Sequence, residues 1–177
     1  MRRVVVANVE GVSRVVEDGA PPRSRRAVHT PGLSNTLLWC TAPGAGTAYD
    51  RSDPTVAAQT FVPPPGGTSQ LLLILPPMSV YQQPGYDRGA ASAEHVLISP
   101  GIADHMESDN PGMHTTPTID YDFVIEGRLT LELTDGEVDL EAGDVVVQLG
   151  TRHAWRNRSD SIAKLLVVFI GAATKIA

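Results

Sequence analysis

Gly112 to Gly127 reads GMHTTPTIDYDFVIEG, and Gly143 to Asn157 reads GDVVVQLGTRHAWRN. Successive side chains of a β-strand point to opposite faces, so residues two apart share a side. In an extended chain His114 and Thr116 therefore face one way together. Asp120 and Asp122 do the same, with Tyr121 and Phe123 on the other side. Past Gly127 the alternation is strict: Leu129, Leu131 and Leu133 against Thr130, Glu132 and Thr134, which puts one face in a core and the other in water. A hairpin then brings His114 and Thr116 opposite His153.

Outward from these stretches, short apolar runs are punctuated by 16 glycines and 14 prolines, a pattern of strands joined by turns. Strands are expected at Arg3 to Val9, Ser13 to Glu17, Leu33 to Thr41, Thr55 to Val62, Gln70 to Leu75 and Tyr121 to Glu126. Further strands are expected at Leu129 to Thr134, Glu137 to Leu140, Asp144 to Gln148, His153 to Arg156 and Ala163 to Ile170. Ile102 to Ser108 is expected to form one or two helical turns. Leu71 to Leu75 is continuously apolar and suits a strand covered on both faces, the second cover coming from a homodimer contact. The fold class is thus all-β with at most one or two short helices. Pro63 to Gly67 is the strongest break, so residues 1–68 read as an arm and additional strands of the same domain, and 69–177 as its core. No repeat is visible, which argues against an internal duplication.

A chain of 177 residues suits one domain. Its net charge of −6, with the signs mixed along the chain, argues against nucleic acid or an anionic membrane surface as partner. The basic cluster Arg23, Arg25 and Arg26 reads as a solvated loop. Cys40 is the single cysteine, so no intrachain disulfide can form and a cytoplasmic, reduced setting is expected. In its apolar stretch Cys40 reads as a buried small hydrophobe. No window approaches the ~20 apolar residues of a membrane helix.

The two quoted stretches resemble the paired motifs of the cupin superfamily, over roughly the last third of the chain. The first motif falls on His114, Thr116, Asp120 and Gly127, the second on Gly143, Gly150, His153 and Asn157. The resemblance implies a double-stranded β-helix, or jelly-roll barrel, with extra N-terminal strands. It also implies one divalent ion, Fe, Mn, Zn, Ni or Cu, held by His114, Asp120 and His153, and a homodimer. The sequence departs from the family pattern where Thr116 replaces a second histidine, Asp120 replaces a glutamate and Gln148 stands at the usual proline. Two histidines and one carboxylate make a facial-triad composition. The other reading is that the ion is lost and His114 and His153 hydrogen-bond Asp120 in a polar pocket.

Asp120 and Asp122 are the candidate catalytic acid and base. Two inward carboxylates repel unless a proton or ion sits between them. Asp122 could instead lie solvated at the mouth. Thr116, Gln148 and Trp155 are candidates to line a small-molecule pocket, Trp155 as a wall. Arg128 and Arg152, at turns, either meet an anionic substrate or are solvated. His29, His95 and His105 lack partners at ligand spacing, with His105 alone a replacement ligand. The function expected is a metal-dependent enzyme on a small carbonyl- or carboxylate-bearing molecule, of lyase, isomerase or dioxygenase type. The alternative is a non-catalytic binding protein with a degenerate metal site. One scaffold hosts many chemistries, so the resemblance does not choose between them.

Overall fold

Alternation decides the central strand of the fold. In β6 (Thr118–Glu126) Thr118, Asp120, Asp122 and Val124 are buried, while Tyr121 and Ile125 are exposed. The computed structural model describes residues 1–173. In it β6 pairs antiparallel with β9 (Val145–Leu149) on one side and β11 (Ala163–Gly171) on the other. Beyond β11 lie β5 (Thr68–Leu75), β4 (Ser34–Thr41) and β3 (Arg23–Arg26), completing a six-stranded sheet in the order β3-β4-β5-β11-β6-β9.

A second sheet has the order β10-β7-β8, from β7 (Arg128–Glu132), β8 (Glu137–Glu141) and β10 (Ala154–Arg156). Gly127 makes the turn into β7 at φ +81°. A Cβ there would sit 2.8 Å from the Ile162 carbonyl oxygen, so both backbone freedom and space demand glycine. The two sheets are the walls of the expected jelly-roll barrel. Between them lies a core built on Leu37, Phe61, Leu71, Val124, Leu129, Leu165, Val167 and Phe169, with Trp155 of β10 and Leu140 of β8 packed against it.

Register fixes which side chains meet inside. Directly opposed residues of antiparallel strands share a face. One inward row runs Leu37, Leu71, Val167, Asp122, Val146, and the next runs Cys40, Ser69, Phe169, Asp120, Gln148. The outward row Trp39, Gln70, Val168, Tyr121, Val147 crosses the other side of the same sheet.

Three sequence expectations are corrected. Thr55 to Val62 is not a strand: Pro54–Ala57 forms the short helix α1, whose N-cap Asp53 accepts the Thr55 amide at 2.9 Å, with Pro54 in the first turn. Arg23–Arg26 is not a loop but the edge strand β3, paired through its backbone to β4. Arg88–Ile98 is the helix α2, capped by Asp87, which accepts the Ala90 amide at 2.9 Å. Within Ile102 to Ser108 only Ala103–His105 turns, as a 3-10 segment. Leu71 is buried, while Leu72 to Leu75 are half-buried among the described residues.

The remaining strands, β1 (Arg3–Val9) and β2 (Val12–Gly19), form a separate hairpin. Glu10 and Gly11 both take positive φ, +54° and +78°, as a two-residue type I′ turn requires. No helix among the described residues is long and apolar enough to cross a membrane.

Leu37 is fully buried between the sheets. Leu37→Ala should therefore cost about 2–5 kcal/mol, read as a lowered midpoint in urea unfolding with an unchanged slope.

Candidate functional site

The inward faces of β6 and β9 and the bridge between His114 and His153 converge on one polar centre. His114 and His153 exchange backbone hydrogen bonds at 2.9 and 3.0 Å, which places their rings with centroids 4.3 Å apart. Each ring is tied down by its own turn. His114 Nδ1 lies 2.9 Å from the Gly112 carbonyl oxygen and His153 Nδ1 lies 3.0 Å from that of Thr151. Since a carbonyl only accepts, both Nδ1 atoms carry the proton and both Nε2 atoms present a lone pair.

Gln148 joins the histidines to the carboxylates. Its Nε2 lies 2.9 Å from Asp122 Oδ2 and 3.1 Å from His153 Nε2, and Thr151 Oγ1 donates to its Oε1 at 3.0 Å. An amide nitrogen has two protons, and these two acceptors use both. The arrangement therefore demands a neutral His153. Burial independently holds the His153 pKa down to about 4, with His114 adding to the effect. Burial likewise lowers His114.

Asp120 and Asp122 are each 1% exposed, and each keeps one carboxylate oxygen, Oδ1, that is buried without a hydrogen-bond partner. Asp122 thus lies inside the barrel and not at its mouth. Loss of hydration raises Asp122 to about 7, against the hydrogen bond from Gln148 and with help from the Asp120 charge. Burial raises Asp120 to about 6, opposed by the Thr118 hydroxyl. Thr116 is buried beside them, its hydroxyl 2.8 Å from that of Thr118.

Trp155 meets the edge of His153 with ring centroids 6.2 Å apart, and its other surface packs on the core. Arg152 is spent on Glu107, at 2.6 and 2.7 Å, and Arg128 is exposed with only a 3.8 Å approach to Glu141. Neither reaches the polar centre.

Sequence reasoning missed His95. It sits on the inner side of α2, where its Nε2 is buried without a partner and burial lowers its pKa, with the charge of His114 adding to the shift. His95 and Ser99 are one helical turn apart, and Ser99 accepts from the buried Asn35 of β4 at 3.0 Å. No motif spacing signalled it, because no helix was expected there.

A metal ion needs converging donors. Among the described residues no group of three or more His, Cys, Asp or Glu is gathered so that it could hold one. The free Nε2 atoms suit an ion, but the Gln148 amide occupies that of His153, and the third ligand is not assembled with the pair. The residues as placed therefore do not fit a three-ligand centre.

Comparison with known proteins bears on the same residues. The sequence profile described as a cupin domain matches residues 106–169, from just before His114 to Phe169. Over these residues the chain is similar to a cupin domain. Cupins commonly bind a metal. The chain is 41% identical over 86 residues to oryzines biosynthesis cluster protein J of Aspergillus oryzae, covering 48% of this chain and 44% of that protein. It is 54% identical over 48 residues to phomopsin biosynthesis cluster protein C' of Diaporthe leptostromiformis, covering 27% and 25%. The chain thus spans less than half the length of these relatives. Among solved structures, the Cupin 2 conserved barrel domain protein of Salinispora arenicola aligns at a TM-score of 0.41 and 17% identity, covering 84% of this chain and 87% of that one.

The carboxylates and the histidines pull stability in opposite directions with pH. A raised carboxyl pKa means that the folded state binds more protons than the unfolded one between about pH 4 and 7 for Asp122, so its contribution is lost as pH rises through that window. The lowered His153 makes the unfolded state the better proton binder from about pH 6.5 down to 4, so its contribution is lost as pH falls. Asp122→Asn removes the first effect alone. Relative to the parent, this variant should gain on the order of 4 kcal/mol in unfolding free energy between pH 4 and pH 8, read by urea titration at each pH.

Proposed function

We propose that this chain is an enzyme of lyase or isomerase type that moves a proton on a small carbonyl- or carboxylate-bearing molecule. The observation that carries this reading is the pair of inward carboxyls, Asp120 and Asp122, each with a buried oxygen lacking a partner. A buried acceptor without a donor costs stability, so a fold retains it where a ligand supplies the missing partner. Burial raises both carboxyls, Asp120 to about 6 and Asp122 to about 7, with the Asp120 charge adding to the shift of Asp122, so near neutrality Asp120 is the more ionised and Asp122 the more protonated. The ionised member removes a proton from the carbon next to the substrate carbonyl, and the protonated member donates to the oxygen or carbon that gains electron density. The proton taken is thus balanced by the proton given.

Gln148 keeps Asp122 oriented, neutral His153 offers no competing charge, and Trp155 walls the barrel on the β10 side. The matched biosynthesis cluster proteins are compatible with a small organic substrate.

A second reading is favoured by the two Nε2 lone pairs. An ion on His114 and His153 would take the place of the Gln148 amide at His153 Nε2. Such an ion would supply Lewis acidity or, as iron, oxygen chemistry.

The two readings separate in heavy water. Chelator-treated protein is incubated with a panel of small keto acids and carbonyl compounds, and exchange of carbon-bound hydrogen for deuterium is followed by NMR. Exchange is expected without added metal, and Asp122→Asn should reduce it by about 10²–10⁴-fold without lowering the unfolding midpoint. Exchange that appears only on adding iron, zinc or manganese favours the second reading. Saturable binding without exchange or turnover under either condition identifies a binding protein.

A further inference from the structure

One side of α2 carries Ala91, His95, Ile98 and Ser99 at helical spacing, and Ile102 continues that stripe into the hydrophobic core. Val96 and Leu97 stay exposed on the other side. The helix is fastened at its flank by Glu94, whose carboxylate accepts the Val28 and His29 amides at 2.7 and 2.8 Å, and just past its end by the Pro100 carbonyl, which accepts the Phe61 amide at 2.8 Å. His95 is the one histidine in the stripe, and its Nε2 is buried without a hydrogen-bond partner.

Asn35 faces the same stripe from β4. In register it stands opposite Leu73, which pairs with Leu165, which pairs with Val124, so a single amide ends an otherwise apolar inward row. Asn35 is 2% exposed, and its Nδ2 donates to Ser99 Oγ at 3.0 Å. Its Oδ1, like His95 Nε2, is buried without a partner. Residues four apart on a helix are neighbours, so the His95 ring and the Asn35 amide both stand beside Ser99. An apolar side chain at either position would close the stripe without leaving a buried polar atom unmet, which costs stability.

We propose that His95 and Asn35 form a subsite for a hydroxyl group of the molecule held in the barrel. The assignment rests on the reading of the barrel as a small-molecule site, and it makes the substrate a hydroxy-carbonyl compound. Asn35 Oδ1 can only accept, so its partner must bring a proton, which a carboxylate does not. A neutral imidazole nitrogen either donates or accepts, and a hydroxyl answers both, since it donates once and accepts as well. Burial keeps His95 neutral, and the influence of His114 on its pKa places the subsite within electrostatic reach of the polar centre.

The test uses primary amides of about four to eight carbons in three matched forms: with a terminal hydroxyl, with a terminal amino group, and unsubstituted. Their affinities for the full chain are measured by ligand-observed NMR titration, which needs no turnover. In the parent the hydroxy amide should bind at least about tenfold more tightly than the unsubstituted one, as two ordinary hydrogen bonds would give. His95→Phe and Asn35→Leu should each bring that ratio to about one while binding of the unsubstituted amide is retained, and His95→Gln should restore part of it. In parent protein labelled with ¹⁵N-histidine, the His95 Nε2 resonance should move on adding the hydroxy amide and stay in place with the unsubstituted one. That shift reports the contact even if the variants lose structure. Equal binding of the hydroxy and unsubstituted forms overturns the subsite and identifies its occupant as water, and a preference for the amino form overturns the hydroxyl assignment. Absence of binding by every probe overturns the subsite as well, and only failure of deuterium exchange in addition counts against the reading on which it rests.

Discussion

The polar centre of the barrel depends on one amide nitrogen. Gln148 has two N–H bonds to give and gives one to Asp122 and one to His153, so each neighbour must turn an acceptor atom toward that nitrogen. His153 must be neutral and must carry its proton on Nδ1, which the Thr151 carbonyl accepts. Asp122 must point one oxygen at the amide, which leaves the other facing the interior with no donor. The side chain can span these groups because β9 pairs with β6 in a register that sets Gln148 opposite Asp120, one inward position away from Asp122. The backbone register of two strands thereby becomes the charge distribution of the site.

The shared facing of Asp120 and Asp122 was legible in the sequence, whereas the pairing of β6 with β9 was not. The alternation through Thr118 to Val124, the glycine turns and the spacing from His114 to His153 require only the period of a strand and a hairpin, and these are local rules. The shared side of Asp120 and Asp122 follows from them. What was not legible has equally physical causes. The β3 strand is polar on both faces because an edge strand needs only its backbone to pair. The α2 helix, RGAASAEHVLI, is rich in small residues and presents a weak apolar stripe, although Asp87 ahead of it was a capping signal. The sequence Asp53-Pro54 likewise marked the start of α1, but the β-branched and aromatic residues that follow argued for a strand. His95 could not be found by motif spacing because it lies on a helix and not on the barrel strands.

The relation between the two faces of the six-stranded sheet is also notable. The inward face spends its apolar rows on the core but gives two positions of β6 to carboxylates. The outward face of the same strand gives the alternate positions to Tyr121, Phe123 and Ile125. Because the period is two residues, a one-residue slip would drive the carboxylates into water and the aromatic residues into the site. The bulge between Lys164 and Leu165, at the end of the β6–β11 pairing, lies next to the Gly127 turn, so the irregularity is confined to the rim and leaves the register at Asp120 and Asp122 intact.

Strand order carries one more consequence. Of the described strands β11 comes last in the chain, yet it occupies the middle of the sheet, between β5 and β6. A ribosome releases β5 and β6 well before the segment that must join them. Until then the sheet exists only as two halves with raw apolar edges, and its closing event pairs residues that are distant in sequence. The nascent chain thus has an interval in which stickiness outruns structure. Expression yield should therefore respond more to translation speed and chaperone supply than the stability of the finished barrel would suggest.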